Sequence, residues 1–279
     1  MITIEQFIEN HQDAEFLLDW KAPFLTLQFN RPQQKNALNK KLLHEMMEVL
    51  SFIEARNEIR ALILTGGPNI FCAGADIKEM ASIRQQGLQG LIDNNELYGK
   101  MLHRLHLCKV PTIALVDGPA LGGGMGLVCA CDFVLSTHQG VFGMPEPKIG
   151  VIAGQIMPYI IRKLGLVKAQ EMSLQGLKLK ATSAKDWGFI NEVFADGPAM
   201  ITGLQAYLDN ILYCAPNALA ETKNLINATT QVAAEDIHHL AQQVAQASFS
   251  PEGIEGGMAF LQKRKPQWCS TPEPILEGA

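Results

Sequence analysis

Five of the chain's 24 glycines fall between Gly118 and Gly126, directly after the apolar run Thr112-Ile113-Ala114-Leu115-Val116. No feature of the sequence constrains the fold more. Thr112 to Cys131 is the one stretch apolar enough to suggest a membrane span, and Asp117, Pro119 and the glycines exclude it as one. What remains is a buried strand, a sharp turn and a short helix. Glycine at such a turn allows positive φ and leaves the backbone N–H groups open to a ligand. Gly122-Gly123-Gly124 also opens the helix, where unpaired N–H groups and the helix dipole favour negative charge.

The pattern around this turn is α/β. Phe24 to Phe29 largely alternates apolar and polar residues, as a half-buried strand does. Leu43, Met46, Met47, Leu50 and Ile53 follow helical spacing over about Asn39 to Asn57. Ala61-Leu62-Ile63-Leu64-Thr65 is a second strand, a helix is expected around Leu97 to Leu107, and Thr112 to Val116 and Asp132 to Ser136 are further strands. Strands alternating with helices indicate sheets covered on both faces. Beyond about Gly203 only helices are expected, around 205–214, 217–229, 235–247 and from Ser250-Pro251-Glu252-Gly253 to about Lys265. The expected division is an α/β core over 1–203 and a helical region over 204–279.

Composition removes several function classes. With 47% apolar residues and 18% charged, the chain of 279 residues is globular. Its net charge is −5 and its 23 basic residues are scattered, which argues against a nucleic-acid partner. Six cysteines in so long a chain do not form a disulfide scaffold, and Cys129 and Cys131 have no second pair to complete a zinc site. The acidic start, with Glu5, Glu9, Asp13 and Glu15, is no signal peptide, so a cytoplasmic protein is expected. There is no G-x-S-x-G or P-loop motif. His103 and His106 have no obvious third ligand, so no metal is expected.

A second glycine turn, Ala73-Gly74-Ala75-Asp76-Ile77-Lys78-Glu79-Met80, also follows an apolar strand. Two such turns can aim two N–H donors at one oxygen and form an oxyanion hole. Each turn alone is equally a tight strand-to-helix connection. Together they resemble the signature turns of the crotonase, or enoyl-CoA hydratase/isomerase, superfamily. Asn30-Arg31-Pro32 with Lys35-Asn36-Ala37-Leu38, Gly143-Met144-Pro145-Glu146, and Ser250 to Gly253 with Ala259 to Lys265 resemble three more motifs of that family. They occur in order from about Phe24 to Trp268.

The resemblance implies a spiral of ββα turns with a C-terminal helical trimerisation region, in a homotrimer or dimer of trimers. It implies acyl-CoA substrates and no cofactor beyond the substrate's own CoA. By position, Ala75 and Gly123 are the oxyanion donors and Glu146 the acid/base. Lys35, Ala37, Ala73, Ile77, Lys78 and Leu121 are the substrate-binding residues. Phe260 and Lys263 match positions that reach a CoA held by a neighbouring subunit.

One departure matters. Hydratases of the family commonly carry a second glutamate three residues after the middle glycine, and here that residue is Gly126. Moving a double bond needs one base, whereas hydration also needs a water to be held. Hydration of an enoyl-CoA remains the leading expectation. A Δ3,Δ2-enoyl-CoA isomerase and a non-catalytic acyl-CoA-binding protein are the alternatives. Gly124 to Leu127 and Gly150 to Tyr159 resemble family members assigned as hydratases of branched glutaconyl-type CoA esters, whose own carboxylate would help place a water. Hydrolases of the family would have aspartate where Gly154 stands.

Overall fold

The computed structural model describes residues 2–228 and 250–268. Six strands form a large sheet in the order β1-β2-β3-β4-β6-β9, and three short ones form a second layer, β5-β7-β8. The large-sheet strands are β1 (Phe16–Lys21), β2 (Phe24–Phe29), β3 (Ala61–Thr65), β4 (Thr112–Val116), β6 (Phe133–Thr137) and β9 (Glu192–Phe194). The second layer holds β5 (Pro119–Leu121), β7 (Val141–Gly143) and β8 (Lys178–Lys180). β1 runs antiparallel to β2, and from β2 to β9 every large-sheet pair is parallel.

Parallel strands require crossovers, and each crossover here has the same build. β2 leads to a bridge residue, Leu38, and then to α2 (Lys40–Glu54). β3 leads to bridge residues Cys72 and Ala75, then α3 (Ile77–Gln85) and α4 (Gly87–His106). β4 leads to β5 and α5 (Gly123–Ala130), and β6 leads to β7 and α6 (Met157–Gln175). The second layer is stitched in the same sequence, with Leu38 beside Ala75, Cys72 beside Ala120, and β5 beside β7. The chain is therefore a coil of ββα turns, and the connections after four successive strands lie side by side.

The period of two sorts each central strand between two cores. Leu62, Leu64, Ala114 and Val116 face the main core under α2, α4, α5 and α6. Ala61, Ile63, Ile113 and Leu115 face the second core, closed by Met200, Leu204, Leu208, Ile211 and Leu212 of α8 (Gly197–Tyr213). The limit expected at 203 thus falls inside a helix whose apolar stripe covers the sheet. α8 starts earlier than its periodicity suggested because Asp196 caps it, accepting from Ala199 N–H at 2.8 Å.

Other boundaries move for local reasons. β1 is not foreseen, because Leu17 on its outer face is 46% exposed and spoils the alternation. α4 begins ten residues before the expected Leu97, since the polar run Asp93-Asn94-Asn95-Glu96 masks its period. The last helix, Pro251–Leu261, stops short of Lys265 because Lys263 adopts φ +52° and Pro266 follows closely. The remaining described α-helices are α1 (Ile4–Glu9), α7 (Ala181–Asp186) and α9 (Pro216–Ala228). The helix expected over 235–247 lies outside the described residues. Among the described residues, no helix is long and apolar enough to cross a membrane.

Candidate active site

The coil brings four connections into one row, and backbone hydrogen bonds lock the row. Ala73 N–H donates to Lys35 C=O at 3.0 Å, and Leu38 N–H to Gly74 C=O at 2.8 Å. Leu121 N–H donates to Cys72 C=O, and Gly122 N–H to Gly143 C=O, both at 2.9 Å. Lys35, Ala37, Ala73, Ala75, Leu121 and Gly123 are thereby gathered at one edge of the second layer, with the 143–146 turn beside them.

Buried polar side chains hold the turns in shape. Asn36, at φ +53° and 1% exposed, donates to Gly66 C=O at 2.9 Å and Phe71 C=O at 3.1 Å. Its Oδ1 accepts from Arg31 N–H at 3.0 Å. The Arg31 guanidinium donates to Ala37 C=O and pairs with Glu15 and Asp76. Asp76 caps α3 by accepting from Lys78 and Glu79 N–H. Burial raises its carboxyl, but the Arg31 hydrogen bond and charge and the two N–H donors outweigh that and hold it below 3.8.

Space at the centre admits glycine only. Gly74 has φ +101° and Gly122 has φ +53°. A Cβ on Gly74 would stand 3.4 Å from the Gly123 nitrogen, and one on Gly122 would stand 3.9 Å from Gly74 Cα. The two turns therefore touch. Among the described residues, neither Ala75 N–H nor Gly123 N–H donates to a protein acceptor. Gly123 is the first residue of α5, where an N–H has no intrahelical partner. Such a pair suits an oxygen bearing negative charge.

A Cβ on Gly122 would also meet Glu146 Oε1 at 2.9 Å, so this carboxyl faces the same point. Glu146 Oε2 is buried and has no hydrogen-bond partner among the described residues. Burial raises the Glu146 carboxyl above 4.5, against a weaker opposing backbone hydrogen bond. That is the expected shift for a base that exchanges protons near neutrality.

Around this centre, Ala37 is buried, Ala73 and Leu121 are half-buried, and Lys35, Ile77 and Lys78 are exposed. Ile77 and Lys78 open α3 immediately after Ala75 and Asp76. Lys263 is exposed at the end of the last helix, which is tied to α9 through Glu252 and Asn217 rather than to this row. The Phe260 side chain lies outside the described residues. Cys72, Cys129 and Cys131 are wholly buried thiols pushed up to about 12 by desolvation, so they stay protonated. Among the described residues no group of His, Cys, Asp and Glu is placed to hold a metal ion.

One residue at the centre went unread in the sequence. Tyr98, on α4, donates from its hydroxyl to Gly123 C=O at 2.6 Å. It occupies the space beside Gly126: a Cβ there would stand 2.5 Å from Tyr98 Oη and would collide with Ile156 Cγ2. No local signal marks it, because which face of α4 meets α5 is set by the coil and not by the sequence around Tyr98.

Comparison with known proteins identifies the family. An enoyl-CoA hydratase/isomerase from Marinobacter aquaeolei superposes with a TM-score of 0.88 at 35% identity, over 92% of this chain and 99% of that one. Pseudomonas aeruginosa AtuE superposes with a TM-score of 0.90 at 34% identity, over 92% and 100%. The mevalonyl-coenzyme A hydratase sidH of Aspergillus fumigatus is 30% identical over 258 residues, covering 90% of this chain and 94% of that protein. The sequence pattern of the family described as Enoyl-CoA hydratase/isomerase matches residues 20–271, and the chain belongs to that family, within the crotonase superfamily.

Proposed function

We propose that the protein hydrates a 2-enoyl-CoA thioester with Ala75 and Gly123 as oxyanion donors and Glu146 as the single acid/base. The observation that carries this reading is the meeting of Gly74, Gly122 and Glu146 Oε1 at one point, next to two N–H groups without protein acceptors. Members of the family act on acyl-CoA thioesters. With the thioester oxygen on the two N–H groups, C3 becomes electrophilic. Glu146 takes a proton from water as the water oxygen bonds to C3. The electron pair displaced from the double bond passes to the thioester oxygen, and the resulting enolate is held by the two N–H groups. Glu146 then delivers its proton to C2. One water has been added and the carboxylate is regenerated.

Lys35 and Lys78 flank the row as exposed cations suited to the phosphates of CoA, while Ala37, Ala73, Ile77 and Leu121 offer small or apolar surface to its adenosine and pantetheine. The same reading includes a homotrimer in which Phe260 and Lys263 reach a neighbour's CoA. Light scattering on purified protein tests the trimer.

A second reading rests on Gly126, which leaves Glu146 as the one carboxylate at the centre among the described residues. One base is enough to move a proton from C2 to C4 of a 3-enoyl-CoA in the isomerase direction. Incubation with panels of 2-enoyl- and 3-enoyl-CoA, read by mass, separates the readings. Hydration adds one water, isomerisation leaves the mass unchanged, and hydrolysis releases free CoA. If no ester changes mass or isomeric form, the protein binds acyl-CoA without turning it over.

A further inference from the structure

A single carboxylate leaves one of the attacking water's two protons without an acceptor. We propose that the Tyr98 hydroxyl oxygen supplies that acceptor, standing where the missing carboxylate would be and holding the water against Glu146. The inference rests on the hydratase reading above and deepens it.

Three observations converge. Tyr98 Oη lies 2.5 Å from the point a Cβ on Gly126 would occupy and 3.3 Å from that on Gly123, so the hydroxyl fills the root of the lost side chain. Its one proton is committed to Gly123 C=O at 2.6 Å. A phenol has two acceptor lone pairs besides its proton, so what Tyr98 still has to offer a water is an acceptor. The ring is fixed, for α4 packs on α2 and α5 and Tyr98 lies against the main core. Burial, with the neighbouring Cys72 and Glu146 adding to it, raises the phenol well above 10 and keeps it neutral. Tyr98 therefore receives no proton from the water. It orients it.

The chemistry then closes with a single base. The water donates one hydrogen bond to Glu146 and one to Tyr98 Oη, which leaves an oxygen lone pair free for C3. The first proton passes to Glu146 as the C–O bond forms. The second stays on oxygen as the product hydroxyl, still bonded to Tyr98. Isomerisation uses no water and has no need of this group.

Tyr98→Phe keeps the ring and removes the oxygen. Two rates are compared: hydration of a 2-enoyl-CoA, and exchange of the α-proton of the saturated acyl-CoA in D2O, which needs Glu146 and the oxyanion donors but no attacking water. Hydration kcat should fall about ten- to a hundredfold more than exchange, with KM moving little. A parallel fall in both rates would show that the hydroxyl only shapes α5 through Gly123, and unchanged hydration would show no role; either overturns the proposal. Difluorotyrosine at 98, which keeps the hydroxyl but weakens its oxygen as an acceptor, should give a hydration rate between the two, and an unaltered rate there also overturns it. A wild-type protein that isomerises without hydrating would sink the hydratase reading itself, a result recognisable before any variant is made.

Discussion

Arg31 Nη2 stands 3.0 Å from Asp76 Oδ2, and the pair joins the turn after β2 to the turn that presents Ala75. Both side chains are nearly buried, at 11% and 12% exposure. Asparagine at 76 keeps the α3 cap but gives up the charge. Asp76→Asn should therefore cost about 2 kcal/mol, a usual value for a charge-assisted hydrogen bond, read as a lowered midpoint in chemical denaturation. The pair also has a pH signature. Asp76 is held below 3.8 in the folded protein, so its stabilisation is complete above that value and is lost as pH falls through the lower folded one. The wild-type advantage over Asp76→Asn should vanish in strong acid.

Glu146 shows the opposite sign. Its carboxyl is raised above 4.5 on folding, so the folded protein binds the proton more tightly and loses stability as pH climbs through that window. Activity requires the ionised form to accept a proton. The acid limb of the kcat/KM profile should lie above 4.5, and Glu146→Gln should lower hydration by about two to four orders of magnitude. The same variant should melt no lower than wild type at neutral pH. An active or unstable Glu146→Gln protein would contradict the assignment.

Much of this centre was legible because its chemistry is written in backbone. Glycine-rich turns after apolar strands reveal accessible N–H groups, and the strand period places each turn at a sheet edge. β2, β3 and β4 have the limits expected from their patterns. Tyr98 could not be read, because its importance depends on a contact between α4 and α5 that joins residues 25 apart in sequence. Gly126 could be read as a loss but not as an occupied space. Only packing shows that Tyr98 and Ile156 fill it.

That packing makes Gly126 hard to revert. Gly126→Glu would restore the second carboxylate on paper, but its Cβ has no room between Tyr98 Oη and Ile156 Cγ2. Both Gly126→Glu and Gly126→Ala should lose about 1–3 kcal/mol from overpacking, and Gly126→Glu should hydrate more slowly than wild type. Thermal melts and initial rates on the two variants test this.

Gly123→Pro removes the N–H of the proposed oxyanion donor. The first position of a helix tolerates proline because its N–H is unpaired within the helix. Leu38 Cδ1 and Tyr98 Oη, 3.0 and 3.3 Å from where the new Cβ would stand, both have to yield slightly. The helix should persist by circular dichroism while kcat falls about a hundred- to a thousandfold, the usual result of losing one oxyanion donor. A companion substitution, Lys78→Ala, changes an exposed cation two residues beyond Asp76 and should raise KM for the CoA ester while leaving kcat near its starting value. Adding salt should weaken wild-type binding more than that of Lys78→Ala, since screening acts only on a charge still present. Should Gly123→Pro raise KM and spare kcat instead, its N–H would be binding the ground state and not the enolate.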